Sequence, residues 1–288
     1  MADGILNLIL SQLDNAKRVA VRNTKDFISN PSDFISMVTG RLDESNKKLA
    51  SGDSESLNEL VGNSIPGGGG LLGTFVGKGS KSTLVQKMFK EAEQLKAEGA
   101  TSREIFQATS KFDSPGDRKP RIEISDLGMT GKKQLINTEG KTTLGELIDH
   151  PALFESYPEF SSIPVILDKT TRNAGLLAYP NSGKLEMKLG TAKDQQGILS
   201  TILHEVQHGI QFKEGFARGD SVDAIQKELD TAFPGQDNRT QAVMRYLRSS
   251  GEAESRAVEE RFNNPQLMNR PPIENYPIAI QDLITKFY

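Results

Sequence analysis

Cysteine and tryptophan are both absent from this 288-residue chain, and only three histidines occur in it. Without thiols there is neither a disulfide nor a thiolate ligand, so any bound metal has to be held by imidazole and carboxylate. Charge of one sign is also lacking. The net charge of -3 and the pI near 5.8, with Lys and Arg scattered along the chain, leave no electrostatic footprint for nucleic acid or for an anionic membrane surface. Long apolar runs are missing, and no stretch is long enough to span a bilayer. The short run Ile5 to Leu10 follows Asp3 without a basic flank or a small-residue cleavage site, which is not the pattern of a secretory signal. What these absences leave is a globular chain long enough to bury a core as one large domain or two modest ones.

Against that scarcity, two of the three histidines stand four residues apart in His204-Glu205-Val206-Gln207-His208. On a helix, positions i and i+4 share a face, so both imidazoles can point at one metal ion. Glu205, one step round from the first ligand, is placed to take a proton from a metal-bound water. Leu199, Ile202, Leu203, Val206 and Ile210 form the core stripe of a helix expected over 198–211, with His204 and His208 at its margin.

Around this motif the chain divides into three parts. Residues 1–60 read as a helical, amphipathic arm interrupted by Asn30-Pro31-Ser32-Asp33. Residues 61–72 contain four successive glycines and read as a flexible linker, and 73–288 form the main domain. In the main domain, helices are expected over 84–97 and 102–109, the second opened by a Thr101/Glu104 capping box. Residues 121–125 should be a strand, 144–148 and 151–157 short helical segments, and 163–167 a strand buried on both faces. Residues 175–179 and 184–189 read as a hairpin. Thr191 is the expected cap of the metal-bearing helix, and a last long helix is expected over 239–262, ended by Asn263-Asn264-Pro265.

A catalytic zinc takes three protein ligands and keeps one position open for water. No third histidine follows His208, and His150 stands far upstream. The alternatives are Glu252 and Glu254 in Gly251-Glu252-Ala253-Glu254-Ser255-Arg256, of which only one can face the ion because they are two apart on a helix. Gly251 favours Glu252, since a glycine there allows close approach of the two helices. Glu259 and Glu260 read as a solvated face.

Six motifs together carry a resemblance: Gly73-Thr74-Phe75-Val76-Gly77, Glu123-Ile124, the run Leu144 to Pro151, the run Leu203 to Gln211, Glu214 to Gly219, and Gly251 to Arg256. Over about residues 73 to 262 the chain resembles the zincin-like, large polyvalent protein-associated domains of phage and prophage proteins. It departs from them at Ser110-Lys111-Phe112-Asp113, where the family has a tryptophan-containing stretch, and at Ser255, where alanine is usual. The resemblance implies a gluzincin-like site, with His204, His208 and Glu252 on Zn2+ and Glu205 as general base. It also implies a setting in a phage virion or the host cytoplasm.

The expectation is therefore an α+β, zincin-like domain with a small mixed sheet over the active-site helix, preceded by the helical arm. The expected activity is zinc metallopeptidase action on a peptide or protein substrate. Tyr246, Tyr179, Arg218 and His150 are, in that order, the candidate transition-state donors. Lys184 to Leu189, just before the metal helix, is the strand expected to present its backbone to an extended peptide. A different class of function stands beside this one: a virion structural or ejected protein whose zinc fold serves assembly, docking on other virion proteins through the amphipathic arm.

Overall fold

A computed structural model describes residues 73–288 apart from 127, 180–183, 265, 266, 268–270, 277, 278, 287 and 288. The N-terminal arm and the glycine linker expected at 1–60 and 61–72 lie outside the described residues.

Local signals open the helices. Helix α1 (Thr83–Ala97) starts at Ser82, whose side chain accepts from the Val85 N–H. Helix α2 (Ser102–Thr109) starts at the complete Thr101/Glu104 capping box. Two short helices, α3 (Leu144–Leu147) and α4 (Pro151–Ser156), lead into the 3-10 turn Pro158–Ser162. The long helix α5 (Gln195–Glu214) starts at Asp194, whose carboxylate accepts the Gly197 N–H at 2.7 Å. Thr191, the expected cap, has its hydroxyl engaged elsewhere and donates to Thr138 O at 2.6 Å. Gly215, in the left-handed region at φ 62°, closes α5.

The region expected as one helix over 239–262 is two, α7 (Arg239–Leu247) and α8 (Ser250–Asn263), and a further helix, α6 (Val222–Ala232), precedes them. The break at Arg248–Ser249 has a tertiary cause. Ser249 pairs in parallel with Ile284, and the Ile284 N–H donates to the Arg248 carbonyl at 2.7 Å.

Strands β1 (Phe75–Val76), β2 (Lys111–Asp113) and β3 (Pro120–Glu123) form an antiparallel sheet in the order β1-β3-β2. Strands β4 (Thr130–Gly131) and β6 (Ile148–Asp149) make a two-residue ladder, so Ile148 belongs to a strand rather than to the helix before it. A mixed four-stranded sheet has the order β5 (Gly140–Thr143), β7 (Pro164–Asp168), β9 (Lys184–Gly190), β8 (Ala174–Tyr179). Strand β7 is not buried on both faces. Val165 and Leu167 are buried while Pro164 and Asp168 are exposed, so only one face is covered.

Strand β9 was expected to offer its backbone to a ligand, but it is interior. It runs parallel to β7 and antiparallel to β8, and the edge beside α5 belongs to β8. The parallel pairing aligns Val165 with Met187 and Leu167 with Leu189, all four buried in the core that also takes Ile198, Ile202, Leu203, Val206 and Ile210 of α5. The described residues thus form an α+β fold, and no helix among them is long and apolar enough to cross a membrane.

Candidate metal centre

The core fixes the rotation of α5. Ile198, Ile202, Leu203, Val206 and Ile210 have no exposed area, and each buried large aliphatic chain contributes about 1.5–3 kcal/mol. Any turn of the helix about its axis would lift several of them into water. With that stripe buried, His204 and His208 emerge one turn apart on the remaining side, their rings edge-on at 5.0 Å and their side chains 14% exposed.

Across from them, α8 carries Glu252 in its first turn. Its carboxylate lies 3.5 Å from His204 Nε2 through Oε2 and 3.2 Å from His208 Nε2 through Oε1. His204, His208 and Glu252 offer ligand atoms all within 4.8 Å of one another. Zinc bonds to nitrogen and oxygen of about 2.1 Å in a tetrahedron separate neighbouring donors by about 3.4 Å. The two histidine–carboxylate separations, 3.5 and 3.2 Å, match the edges of such a tetrahedron. Glu252 Oε2 is buried without a hydrogen-bond partner, a costly state that an ion between the three groups would relieve. Two imidazoles and one carboxylate suit zinc and other borderline divalent ions.

The outer partners of the two histidines differ. His208 Nδ1 meets Gln211 Oε1 at 2.9 Å and Ser255 Oγ at 3.3 Å. The Gln211 amide cannot turn over, because its nitrogen donates to the Gly251 carbonyl at 2.9 Å, and a carbonyl only accepts. Gln211 Oε1 therefore accepts from His208 Nδ1–H, leaving the Nε2 lone pair aimed at the metal position. His204 Nδ1 instead faces Glu259 Oε2 at 3.3 Å, and Ser200 Oγ donates to Glu259 Oε1 at 3.1 Å. Glu259 is thus not on a solvated face as expected; it is a charged brace behind His204.

The metal-free cluster shares protons. Burial pushes His204 down, but the neighbouring Glu252, Glu259 and Glu205 carboxylates outweigh it and bring the imidazole to about 9. Burial likewise opposes the charged form of His208, and Glu252 overcomes it, so His208 is raised too. Burial would raise Glu252, yet the two imidazoles hold its carboxyl well below the usual carboxylate range.

The raised His204 stabilises the metal-free fold fully below its unfolded value near 6.5 and loses that contribution as pH rises through about 9. Glu252, depressed, contributes above its ordinary 4.5 and loses that contribution as pH falls toward its folded value. A metal ion needs both imidazoles neutral. Binding at pH 7 is therefore expected to expel at least the His204 proton, with affinity rising about tenfold per pH unit for each proton displaced until pH about 9. Calorimetric titration in buffers of different ionisation enthalpy reads the proton count, and a count of zero would refute this protonation state.

The remaining candidates separate. Glu254 points away from the ion site and into a buried ion pair with Arg121 Nη2 at 3.1 Å. Tyr246, on α7, reaches the Glu252 carboxylate, and burial together with that carboxylate raises its phenol well above the ordinary value, so it holds its proton. Arg256 folds back to bond the Leu247 carbonyl and braces the α7–α8 junction. His150 is structural: its Nδ1 accepts from the Leu153 N–H at 3.3 Å as the cap of α4, and its Nε2 contacts Asp126 at 2.7 Å. Tyr179 ends β8 opposite Lys184.

Gly251 allows close approach of a loop: a Cβ there would lie 2.1 Å from Arg218 C and Gly219 N. The residue after Arg218 walls the site, since a Cβ on Gly219 would lie 2.5 Å from Glu252 Oε1 and 2.7 Å from His208 Cε1.

Sequence reasoning passed over Gln207, Gln211, Ser255 and Arg121. Gln207 clamps β1 to α5 by taking the Phe75 N–H at 3.0 Å and donating to the Phe75 carbonyl at 3.1 Å. The signal for both glutamines was present: Gln207 and Gln211 stand next to the apolar stripe residues Val206 and Ile210, and uncharged polar residues buried there need partners.

Compared with protein-family models, with curated proteins and with solved structures, the chain matches none.

Proposed function

We propose that the chain is a zinc-dependent metallopeptidase of the gluzincin-like kind, with a zincin-like domain and a setting in a phage virion or its host cell. One observation carries the reading: His204 and His208 on α5 and Glu252 on α8 bring their ligand atoms within 4.8 Å of one another, next to Glu205 on α5. Bound zinc would polarise a peptide carbonyl and lower the pKa of a water at the open position. Everything else falls to the protein. Glu205, buried beside the two histidines, takes one proton from the attacking water as the carbon–oxygen bond forms. It returns that proton to the amine nitrogen as the carbon–nitrogen bond breaks, and so ends each cycle as a carboxylate.

Tyr246 is the group best suited to donate a hydrogen bond to the developing oxyanion, because it keeps its proton and stands beside Glu252. A substrate in extended form fits the outer edge of β8, which is hydrogen-bonded on one side only among the described residues and flanks α5.

The test combines metal analysis of the purified chain with a peptide-library cleavage screen. One zinc per chain is expected, with cleavage that a chelator abolishes and added zinc restores. Stoichiometric zinc with no cleavage of any peptide would instead assign the fold to assembly or docking.

A further inference from the structure

The first turn of α8, which carries Glu252, lacks the usual means of holding itself. Its cap residue, Ser249, makes no side-chain hydrogen bond to the helix. The first N–H groups of a helix have no partner within it and must find one elsewhere. Here the Ser250 N–H donates to the Ile284 carbonyl at 2.8 Å, and the Gly251 N–H donates to the Arg218 carbonyl at 3.2 Å. Two segments distant in sequence therefore do the work of a cap.

Those two segments are tied to each other. The Arg218 N–H donates to the Lys286 carbonyl at 2.8 Å, and Lys286 Nζ meets Asp220 at 2.6 Å. Thr285 anchors the far side, its hydroxyl donating to Gly116 O at 2.9 Å. The Arg218–Gly219 peptide is thus held between Lys286 and Gly251, and Gly219 lies so close to Glu252 and His208 that it leaves no room for a Cβ. One peptide unit separates residues 284–286 from the ligands.

We propose that Ile284–Lys286 is a positioning strap for the metal site. It holds the first turn of α8 in helical form and fixes the Gly219 wall against Glu252 and His208. The inference rests on the reading of His204, His208 and Glu252 as metal ligands. Because strap and ion act on the same two side chains, their effects are reciprocal: docking the strap tightens metal binding, and metal binding tightens the strap by the same factor.

The test uses the full chain with zinc as the probe. Hydrogen exchange of the Arg218, Ser250 and Ile284 amides is measured with and without zinc, and zinc affinity is measured by chelator competition for wild type, Ile284→Pro and Lys169→Ala. Ile284→Pro removes the N–H that bonds Arg248 O, whereas Lys169→Ala removes only an exposed ion pair with Glu139. The expected result is slower exchange at all three amides in zinc, and an affinity about 10–100-fold weaker in Ile284→Pro, as for the loss of other outer supports of a metal site. Lys169→Ala should bind as wild type does.

Unchanged exchange at the three amides, with Ile284→Pro binding within twofold of wild type, overturns the strap while leaving the metal site intact. Should Ile284→Pro fail to fold, the exchange rates of the wild-type chain decide alone. A wild-type chain that takes up no zinc overturns the metal reading itself, and the strap with it.

Discussion

Glu205→Gln is expected to retain zinc at near wild-type occupancy, keep the fold and lose about a hundredfold to ten-thousandfold in peptide hydrolysis, the usual worth of a general base. Glu205 is buried one step round the helix from His204, near enough for its charge to act on both histidines, but the group whose ligand atoms converge is His204, His208 and Glu252. The substitution is isosteric and removes only basicity. His204→Ala should behave differently and lose metal and activity together, because it takes away one of three donors. Metal content by mass spectrometry of the native protein, paired with turnover of a library-selected peptide, distinguishes the two. Full activity in Glu205→Gln would end the proposed mechanism whatever the zinc content. A variant silent in every assay, including assembly of a parent particle, would point to a structural protein.

The second large effect separates two glutamates that stand two residues apart. Glu252→Ala should weaken zinc binding by more than about a hundredfold, beyond what the loss of an outer partner typically costs. Glu254→Ala should leave zinc binding within about tenfold of wild type, because only groups behind the ligands move. Its damage falls on stability. Glu254 accepts from Arg121 at 3.1 Å, Gln207 at 2.8 Å and Ser114 at 3.0 Å, and without it Arg121 keeps only Asp117 as a carboxylate partner. Breaking a buried pair from one side costs about 3–5 kcal/mol. Chelator competition and chemical denaturation, run on both variants, give the two numbers. Equal zinc affinities would remove Glu252 from the site.

What could be read in the sequence was what local chemistry decides. The capping box of α2 is contained in four residues, and the direction of His204 and His208 follows from an apolar stripe on their own helix. What could not be read depends on partners brought in from far away. The helix break at Arg248–Ser249 is made by Ile284, and nothing within 239–262 other than a serine pair and a glycine marks it. Thr191 and Asp194 are both acceptable caps, and the choice falls to Asp194 because the Thr191 and Ala192 N–H groups are still bonded to the Asp168 and Thr171 carbonyls, so the helix cannot begin before Gln195. The interior place of β9 is set by its parallel partner β7. Glu259 and Glu260 are indistinguishable by composition; only the facing His204 picks out the first.

The polar layer beneath the ligands also bears on how the chain reaches its native state. Glu254 meets Gln207 across 47 residues and Arg121 across 133, while Asp117 takes the Ala217 N–H across 100. Closing such loops has an entropic cost before any contact rewards it, so pairings of this span form slowly and late. His204 and His208 need only one turn of helix to come together, but Glu252 is delivered by α8 once that long-range layer has closed. A partly folded chain can therefore offer an ion two imidazoles and no carboxylate. Capture of an ion by all three groups would accordingly be a last step of folding, rewarding the finished structure without nucleating it.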